Sequence, residues 1–145
     1  MIVLGSDHAG YPLKEFIKAR LQAAGLSLLD IGTGSAEDVD YPLYGRKAAE
    51  MVADGTCDRG IVFCGTGVGI SMAANRIRGA RCVTCTESCS AVLARRHNNA
   101  NMLALGARVI GEEQALCIVN AWLNTPYDGG ERHDRRVGLL DSQGS

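Results

Sequence analysis

The chain of 145 residues is 46% hydrophobic and 21% charged, and its formal net charge is −1. This length predicts a single domain, residues 1–145, large enough to bury about two-thirds of its unfolded surface without disulfide bonds or a structural metal. The charge balance argues against a nucleic-acid partner and, with no run of roughly 18 apolar residues, against a membrane.

The first ten residues, MIVLGSDHAG, have no basic leader, and their apolar run ends at Leu4. This pattern predicts a first β-strand rather than a signal peptide, and therefore a cytoplasmic protein. In that compartment the six cysteines are expected to remain thiols, so their even number does not indicate disulfide bonds.

Short apolar runs alternate with helical patterns along the chain. The predicted strands are 2–5, 26–32, 60–64, 80–85 and part of 102–111. The predicted helices are 10–24, which Gly25 ends, then 43–54, 68–76, 88–98 and 112–123. Residues 126–145 are predicted to form a polar C-terminal arm with a mobile end. The alternation predicts a five-stranded parallel sheet covered by helices on both faces, with functional loops at the carboxyl ends of the strands.

Three segments next to predicted strands carry reactive side chains. Asp7 and His8 follow the first strand, Cys64 ends the third, and His97 lies in HNNAN (97–101), between the fourth helix and the fifth strand. We expect these segments to meet at one rim of the sheet, where an Asp-His pair, a thiol and a second histidine would form an active site.

A glycine-rich loop, Gly65-Thr66-Gly67-Val68-Gly69, follows Cys64 and opens a predicted helix. Glycines let the backbone approach a ligand, and free N–H groups at a helix start bind anions or a developing oxyanion. Glu87 stands where a dinucleotide site has its ribose-binding acid, but Ile70 breaks the G-x-G-x-x-G spacing and the loop follows the third strand. A simple tight turn is the structural alternative.

Cys64 is open to two interpretations. A buried, inert thiol is the default, but a helix N-terminus favours the thiolate, which would act as a proton acceptor or nucleophile. Cys82, Cys85 and Cys89 form C-x-x-C-x-x-x-C, which raises the alternative of a metal site. No second ligand pair stands at zinc-finger spacing, so packing in or near the core is favoured for them.

The other candidate side chains also have structural alternatives. His97 ends a predicted helix, where it serves either as a charged cap or as an acid–base group. Asp7 could be only the N-cap of the first helix, and His8 could be only solvent-exposed.

Several arginines are candidates for an anion site. Arg132 and Arg136 share a face if the arm is helical, which suits a phosphate, although a solvated basic patch is the alternative. Arg108, near the fifth strand, is a similar candidate. The remaining arginines considered are expected to be ordinary surface charges: Arg76, Arg78, Arg95 and Arg96.

Five stretches in order along the chain carry a family resemblance. They are GSDHAGYPLK (5–14), DYP (40–42), CGTGVGISMAANR (64–76), RHNNANMLALGARVIG (96–111) and GGERHDRRV (129–137). With these motifs the sequence resembles the type B ribose-5-phosphate isomerases, which group with galactose-6-phosphate and allose-6-phosphate isomerases. One branch of this family replaces the cysteine by a glutamate in the loop. Here that position is Ile70, so the chain resembles the cysteine branch.

The resemblance implies a Rossmann-like three-layer α/β/α sandwich that forms a homodimer, sometimes a tetramer, with an active site between two subunits. It implies an aldose–ketose isomerisation of a sugar phosphate, ribose 5-phosphate to ribulose 5-phosphate, in the pentose phosphate pathway. Neither a metal nor another cofactor is expected. A hexose-6-phosphate isomerase and a non-catalytic module that binds a nucleotide or sugar phosphate remain alternatives.

The resemblance also implies a role for each candidate residue. Cys64 would be the base that moves the proton between C1 and C2, and His97 would help to open the sugar ring. The enediolate would be held by the backbone of Gly65, Gly67, Val68 and Gly69, with Thr66 assisting. Asp7 and Asn98 would contact the sugar. The phosphate would be bound by His8, Arg108, Arg132 and Arg136.

Overall fold

A computed structural model of the protein describes residues 1–142. The strands are β1 (Ile2–Ser6), β2 (Leu28–Asp30), β3 (Arg59–Cys64), β4 (Cys82–Thr84) and β5 (Met102–Gly106). The helices are α1 (Tyr11–Ala23), α2 (Tyr41–Ala53), α3 (Val68–Ala74), α4 (Ser88–Asn98), α5 (Glu112–Leu123) and α6 (Glu131–Asp141). Within the described residues, no helix is both long and apolar enough to cross a membrane.

The five strands form one parallel sheet in the order β2-β1-β3-β5-β4. Side chains of neighbouring strands alternate between two cores: one packs against α1, α4 and α5, and the other against α2 and α3. The predicted three-layer α/β/α sandwich is therefore confirmed. Because the chain leaves β1 toward one edge and later returns to its other side, the strand order switches between β1 and β3, where ligands bind in such folds.

The pleat of β3 decides which way its last residue points. Ile61 and Phe63 face the core under α1 and α5, whereas Val62 and Cys64 face α2 and α3. Alternate residues of a strand lie on opposite faces, so Cys64 points toward the start of α3.

Local signals explain the helix boundaries. The α1 helix ends in a Schellman motif, in which Gly25 has φ +82°, its N–H donates to Gln22 O at 2.9 Å, and Leu26 N–H donates to Leu21 O at 3.1 Å. The predicted role of Gly25 is confirmed. The α2 helix begins at Tyr41, two residues before the prediction, because Pro42 fits the first turn of a helix.

The C-terminal arm contains a helix that the sequence did not firmly predict. Residues Glu131–Asp141 form α6, which packs against α4, and none of its residues is buried. Its last residue, Asp141, receives two hydrogen bonds of 2.8 Å from Arg81 Nη1, which fixes the end of the helix near β4. The predicted mobile end falls partly on residues 143–145, which lie outside the described residues.

Among residues 1–142, three charged side chains are buried: Asp7, Lys14 and Arg95. Lys14 is 0% exposed, and its Nζ donates to both oxygens of Asp30 at 2.8 and 2.7 Å. Burial tends to raise the pKa of Asp30, but hydrogen bonds from Lys14, Gly32 and Lys18 outweigh it, so the pKa is lowered overall. This ion pair joins α1 to the end of β2.

Arg95 was expected on the surface, and that prediction is wrong. The residue is 5% exposed, and its guanidinium donates to Thr125 O, Asn99 Oδ1 and Ala100 O. Burial, together with Arg59 and Arg81, lowers the pKa of Arg95 to about 10, so it remains charged near neutral pH. Arg95 thus holds the chain that follows α4 in place.

Candidate active site

The carboxyl ends of three adjacent strands form one edge of the site. Asp7 N–H donates to Phe63 O at 3.2 Å, and Ala107 N–H donates to Cys64 O at 2.9 Å. Arg108 N–H donates to Gly65 O, also at 2.9 Å. These bonds tie the segments after β1, β3 and β5 together, so Asp7 and Cys64 meet at one edge as predicted, and Arg108 lies at the same edge.

The thiol of Cys64 lies at the mouth of the glycine loop. Cys64 is 4% exposed, and its Sγ accepts a hydrogen bond from Gly67 N–H at 3.1 Å. Gly67 has φ +79°, a conformation that glycine adopts readily, and this turns its N–H back toward the sulfur. The loop therefore directs a backbone donor at the sulfur of Cys64.

The rest of the loop presents backbone donors. Val68 N–H donates to Thr66 Oγ1 at 3.2 Å, whereas the N–H groups of Gly65, Thr66 and Gly69 donate to none of residues 1–142. The guanidinium of Arg108 lies over Gly65, where an added Cβ would be 3.3 Å from Nη1. A thiol, free N–H groups and a cation therefore border the same space.

Asp7 and His8 are both held by the backbone. Asp7 Oδ1 accepts from Gly10 N–H at 2.9 Å, and Gly10 is itself the N-cap of α1, so the alternative that Asp7 caps this helix is wrong. His8 Nδ1 accepts from Val39 N–H at 3.2 Å, and His8 Nε2 lies 3.4 Å from Asp38 Oδ1. His8 is therefore more than a solvent-exposed side chain, because it fastens the loop before α2 to the site.

The HNNAN segment lies at the opposite edge of the sheet. His97 and Asn98 are in the last turn of α4 and precede β5, while Asn99 O and Asn101 Oδ1 accept from Arg81, which precedes β4. Along β5, Met102 lies at this edge and Gly106 pairs with Cys64 at the other. The four residue steps between them correspond to a distance of about 13 Å. The expectation that all three segments meet at one rim is wrong within one chain. The α4 helix starts at the carboxyl edge of the sheet and runs back to the amino edge, so its last turn carries His97 away from Cys64.

The arm places further groups beside His97. The rings of His97 and His133 stack with centroids 4.9 Å apart and planes 10° apart. Arg132 and Arg136 stand one turn apart on α6, both exposed, so they share a face as predicted. Neither His133 nor Asp128 was expected at a site, although His133 lies within the quoted GGERHDRRV motif.

The alternative interpretations of Cys82, Cys85 and Glu87 gain no support. Burial raises the pKa of the Cys82 and Cys85 thiols, that of Cys85 to about 11, so both are neutral near pH 7. Within the described part of the chain these thiols do not converge with other metal-binding side chains, and all six cysteines are free. Glu87 caps α4 by accepting from Ser90 N–H.

A doubly wound sheet with a thiol and free N–H groups at its switch point defines a small-molecule enzyme of the α/β class. Residues 2–140 match the model of the family described as Ribose/Galactose Isomerase, and the chain belongs to that family. The prediction of an aldose–ketose isomerase is confirmed at this level.

Close relatives cover nearly the whole chain. Ribose-5-phosphate isomerase B of Escherichia coli is 52% identical over 139 residues, which cover 96% of this chain and 93% of that protein. The structure of ribose-5-phosphate isomerase B from Clostridium thermocellum matches with a TM-score of 0.95 at 52% identity, covering 97% of this chain and 95% of that one. The structure of the Mycoplasma genitalium protein, with bound ribulose-5-phosphate, matches with a TM-score of 0.92 at 35% identity, covering 97% and 93%.

Proposed function

We propose that the protein interconverts ribose 5-phosphate and ribulose 5-phosphate through an enediolate. The observation that carries this proposal is the thiol of Cys64, which accepts the Gly67 N–H beside backbone N–H groups with no partner among residues 1–142. The names of the E. coli and C. thermocellum relatives, and the ribulose-5-phosphate bound in the M. genitalium structure, support the choice of substrate.

Cys64 acts as the base. Its thiolate takes the proton from C2 of the open-chain aldose and returns it to C1, while a proton moves from the C2 hydroxyl to the C1 oxygen. Negative charge develops on oxygen during this transfer, and N–H groups fixed beforehand stabilise it without reorganising. Gly65, Thr66 and Gly69 supply these donors, whereas the N–H groups of Gly67 and Val68 hold the sulfur and the Thr66 hydroxyl.

The active site forms between two copies of the chain. In one chain, His97 and Cys64 lie at opposite edges of the sheet, so His97 reaches the sugar only from a second copy. That copy contributes His97 for ring opening and Asn98 for sugar contact, while Asp7 contacts the sugar from the copy that carries Cys64. The protein is therefore a homodimer, or a tetramer built from such dimers.

The phosphate binds between basic side chains from both copies. His8 and Arg108 lie at the Cys64 edge of one copy, and Arg132 and Arg136 lie on α6 of the other. A phosphate remote from the reacting carbons supplies binding energy that positions them. Two arginines one helical turn apart suit a group that accepts several hydrogen bonds.

Exposed apolar side chains near the loop support a second copy at this edge. Leu43 is 61% exposed and Met72 62%, and Tyr41 and Val68 are also exposed. The ring of Tyr41 lies against Gly69 of the loop. Contiguous apolar patches of this kind mark interaction surfaces. A partner that covers α2 and α3 would also exclude water from the thiol.

A direct assay tests the role of Cys64. Ribulose 5-phosphate formation from ribose 5-phosphate is followed for the protein and for Cys64→Ala, with Cys117→Ala, an exposed cysteine, as the control. We expect Cys64→Ala to lose activity by about 100-fold or more, since a general base contributes at least that much, and Cys117→Ala to keep it. Near-normal turnover by folded Cys64→Ala would overturn the role of this thiol.

The same assay decides the substrate class. The ratio kcat/KM is compared for ribose 5-phosphate, allose 6-phosphate and galactose 6-phosphate, with and without a chelator. We expect ribose 5-phosphate to be preferred and the chelator to leave its turnover intact. A preference for either hexose phosphate would contradict the pentose assignment. Tight binding of adenine nucleotides without any isomerase activity would replace the proposal by a binding module.

A further inference from the structure

A second cluster of reactive groups surrounds His97. One ligand atom each from His97, Asp128 and His133 lies within 4.8 Å of the other two. His97 comes from the last turn of α4, His133 from the first turn of α6, and Asp128 from the segment between α5 and α6. The proposed reaction gives His97 a role but leaves Asp128 and His133 without one.

A backbone hydrogen bond positions Asp128, and ring stacking positions the two histidines. Asp128 N–H donates to Arg96 O at 3.1 Å, which fixes the loop against the end of α4. The two imidazole rings stack at 4.9 Å, and neither makes a hydrogen bond to any residue among 1–142. Both histidines therefore keep a ring nitrogen free to donate an electron pair.

Two imidazoles and one carboxylate are a ligand set of zinc sites that leave a fourth position open. Ligand atoms on a tetrahedral Zn²⁺ lie about 3.3 Å apart, so those of the cluster need to approach by about 1.5 Å. His97 and His133 are half-buried and Asp128 is exposed, so side-chain rotation can provide this movement.

We propose that His97, Asp128 and His133 form an inhibitory site for a divalent transition metal, with Zn²⁺ as the best fit. The inhibition rests on the proposed function, because it follows from the role of His97 in ring opening. Once an imidazole nitrogen of His97 coordinates the metal, that nitrogen no longer exchanges a proton with the sugar. Binding itself does not depend on the isomerase activity.

The guanidinium of Arg96 competes with a metal for the carboxylate of Asp128. Its Nε lies 3.3 and 3.2 Å from the two oxygens of Asp128, so it shares the carboxylate that the metal needs. Removing this cation by Arg96→Gln frees the carboxylate while the backbone bond from Asp128 to residue 96 remains. The structure therefore predicts opposite effects of Arg96→Gln and Asp128→Asn on metal affinity.

Metal affinity is measured by titrating ZnCl₂ against a chromophoric chelator, with Co²⁺ absorption as a second readout. We expect Asp128→Asn and His133→Asn each to weaken Zn²⁺ binding about tenfold or more, and Arg96→Gln to tighten it. Asp134→Asn is the matched control, because Asp134 lies on α6 outside the cluster and accepts a hydrogen bond from Tyr127. Unchanged affinity in both weakened variants would overturn the site.

Thiols are the obvious competing ligands, so the titration is repeated in Cys64→Ala. Retained affinity supports the histidine site, and loss of binding there would overturn it in favour of the thiol. Isomerase activity is then measured against free Zn²⁺ for the wild type and Asp134→Asn, both of which should be inhibited over the range in which Zn²⁺ binds. Binding at this cluster without inhibition of an active isomerase would refute the inhibitory role, whereas absence of any isomerase activity would refute only the proposed function.

Discussion

Replacing Gly67 by alanine tests whether the loop geometry supports the thiol. Gly67 has φ +79°, and its N–H donates to Cys64 Sγ at 3.1 Å. An added Cβ would stand 3.0 Å from Leu105 C, 3.1 Å from Thr84 Cγ2 and 3.2 Å from Gly106 N. Alanine therefore meets an unfavourable backbone conformation and three close neighbours, two of them backbone atoms that cannot move independently of β5.

The conformational cost and the packing cost of this alanine can be estimated separately. A left-handed conformation costs a residue with a Cβ about 1–2 kcal/mol. Overpacking a tight site costs a further 1–3 kcal/mol or so. We therefore expect Gly67→Ala to lower the free energy of unfolding by about 2–5 kcal/mol. Any relief by shifting the loop would also move the N–H away from the sulfur and lower kcat.

Gly25→Ala is the matched control, because Gly25 has φ +82° and no heavy atom within 4 Å of an added Cβ. Urea unfolding of both variants gives the two free energies, and kcat is measured at saturating ribose 5-phosphate. Gly25→Ala should show only the conformational cost and keep its activity. A Gly67→Ala variant that is no less stable than Gly25→Ala and retains normal kcat would refute both the packing cost and the role of the Gly67 N–H.

Two further predictions concern charges. Asp30→Asn leaves Glu15, at 3.2 Å, as the remaining ion-pair partner of the buried Lys14 ammonium, so we expect a loss of about 2–3 kcal/mol in urea unfolding near pH 7. The pKa of Asp30 is lowered from 3.8 on folding, so this stabilisation is present above that pH and disappears as the pH falls through the folded value. Arg136→Ala should raise KM for ribose 5-phosphate by about tenfold or more with little change in kcat, because charge-assisted bonds to the phosphate are lost.

Each of these two variants has a control at a neighbouring or partner residue. Lys14→Met combined with Asp30→Asn removes both charges, and its stability should exceed that of Asp30→Asn alone. A stability gap between wild type and Asp30→Asn that persists below the folded pKa would contradict the ion-pair account. Arg135→Ala removes an exposed cation next to Arg136. Equal KM values for Arg135→Ala and Arg136→Ala would assign the effect to general charge rather than to a phosphate contact.

Local signals made most of the fold predictable. The bounds of α4 and α5 match the predicted 88–98 and 112–123, since apolar periodicity covers both. The strands at the sheet edges, β2 and β4, have three residues each, far fewer than the predicted 26–32 and 80–85. An edge strand pairs with a neighbour on one side only, so its hydrogen-bonded part is shorter than the apolar run in the sequence.

The features that escaped prediction depend on contacts between distant residues. The α6 helix buries none of its side chains, so no apolar stripe marks it. Lys14 and Arg95 find partners that the sequence does not reveal: Asp30 lies 16 residues from Lys14, and Thr125 lies 30 from Arg95. A charged residue is expected at the surface unless such a partner is known.

The candidate site was predictable only in part for a similar reason. Cys64 and its loop are contiguous in sequence, so their arrangement follows from one strand-to-helix turn. The position of His97 depends on the direction of the chain, because α4 runs from the carboxyl edge back to the amino edge. Thus one half of the site could be derived from a local motif, whereas in the proposed function the other half comes from a second copy of the chain.

Mixed subunits test the proposed shared active site most directly. Cys64→Ala and His97→Asn proteins, each inactive alone, are unfolded, mixed in equal amounts and refolded together. A mixed dimer with the site between subunits contains one site with both native residues, so random assembly should restore about a quarter of wild-type activity. If the two residues acted within one chain, every site in the mixture would lack one of them. Recovery near a quarter is the predicted result, and a mixture as inactive as its components, beside a wild type that refolds to full activity, would contradict the account.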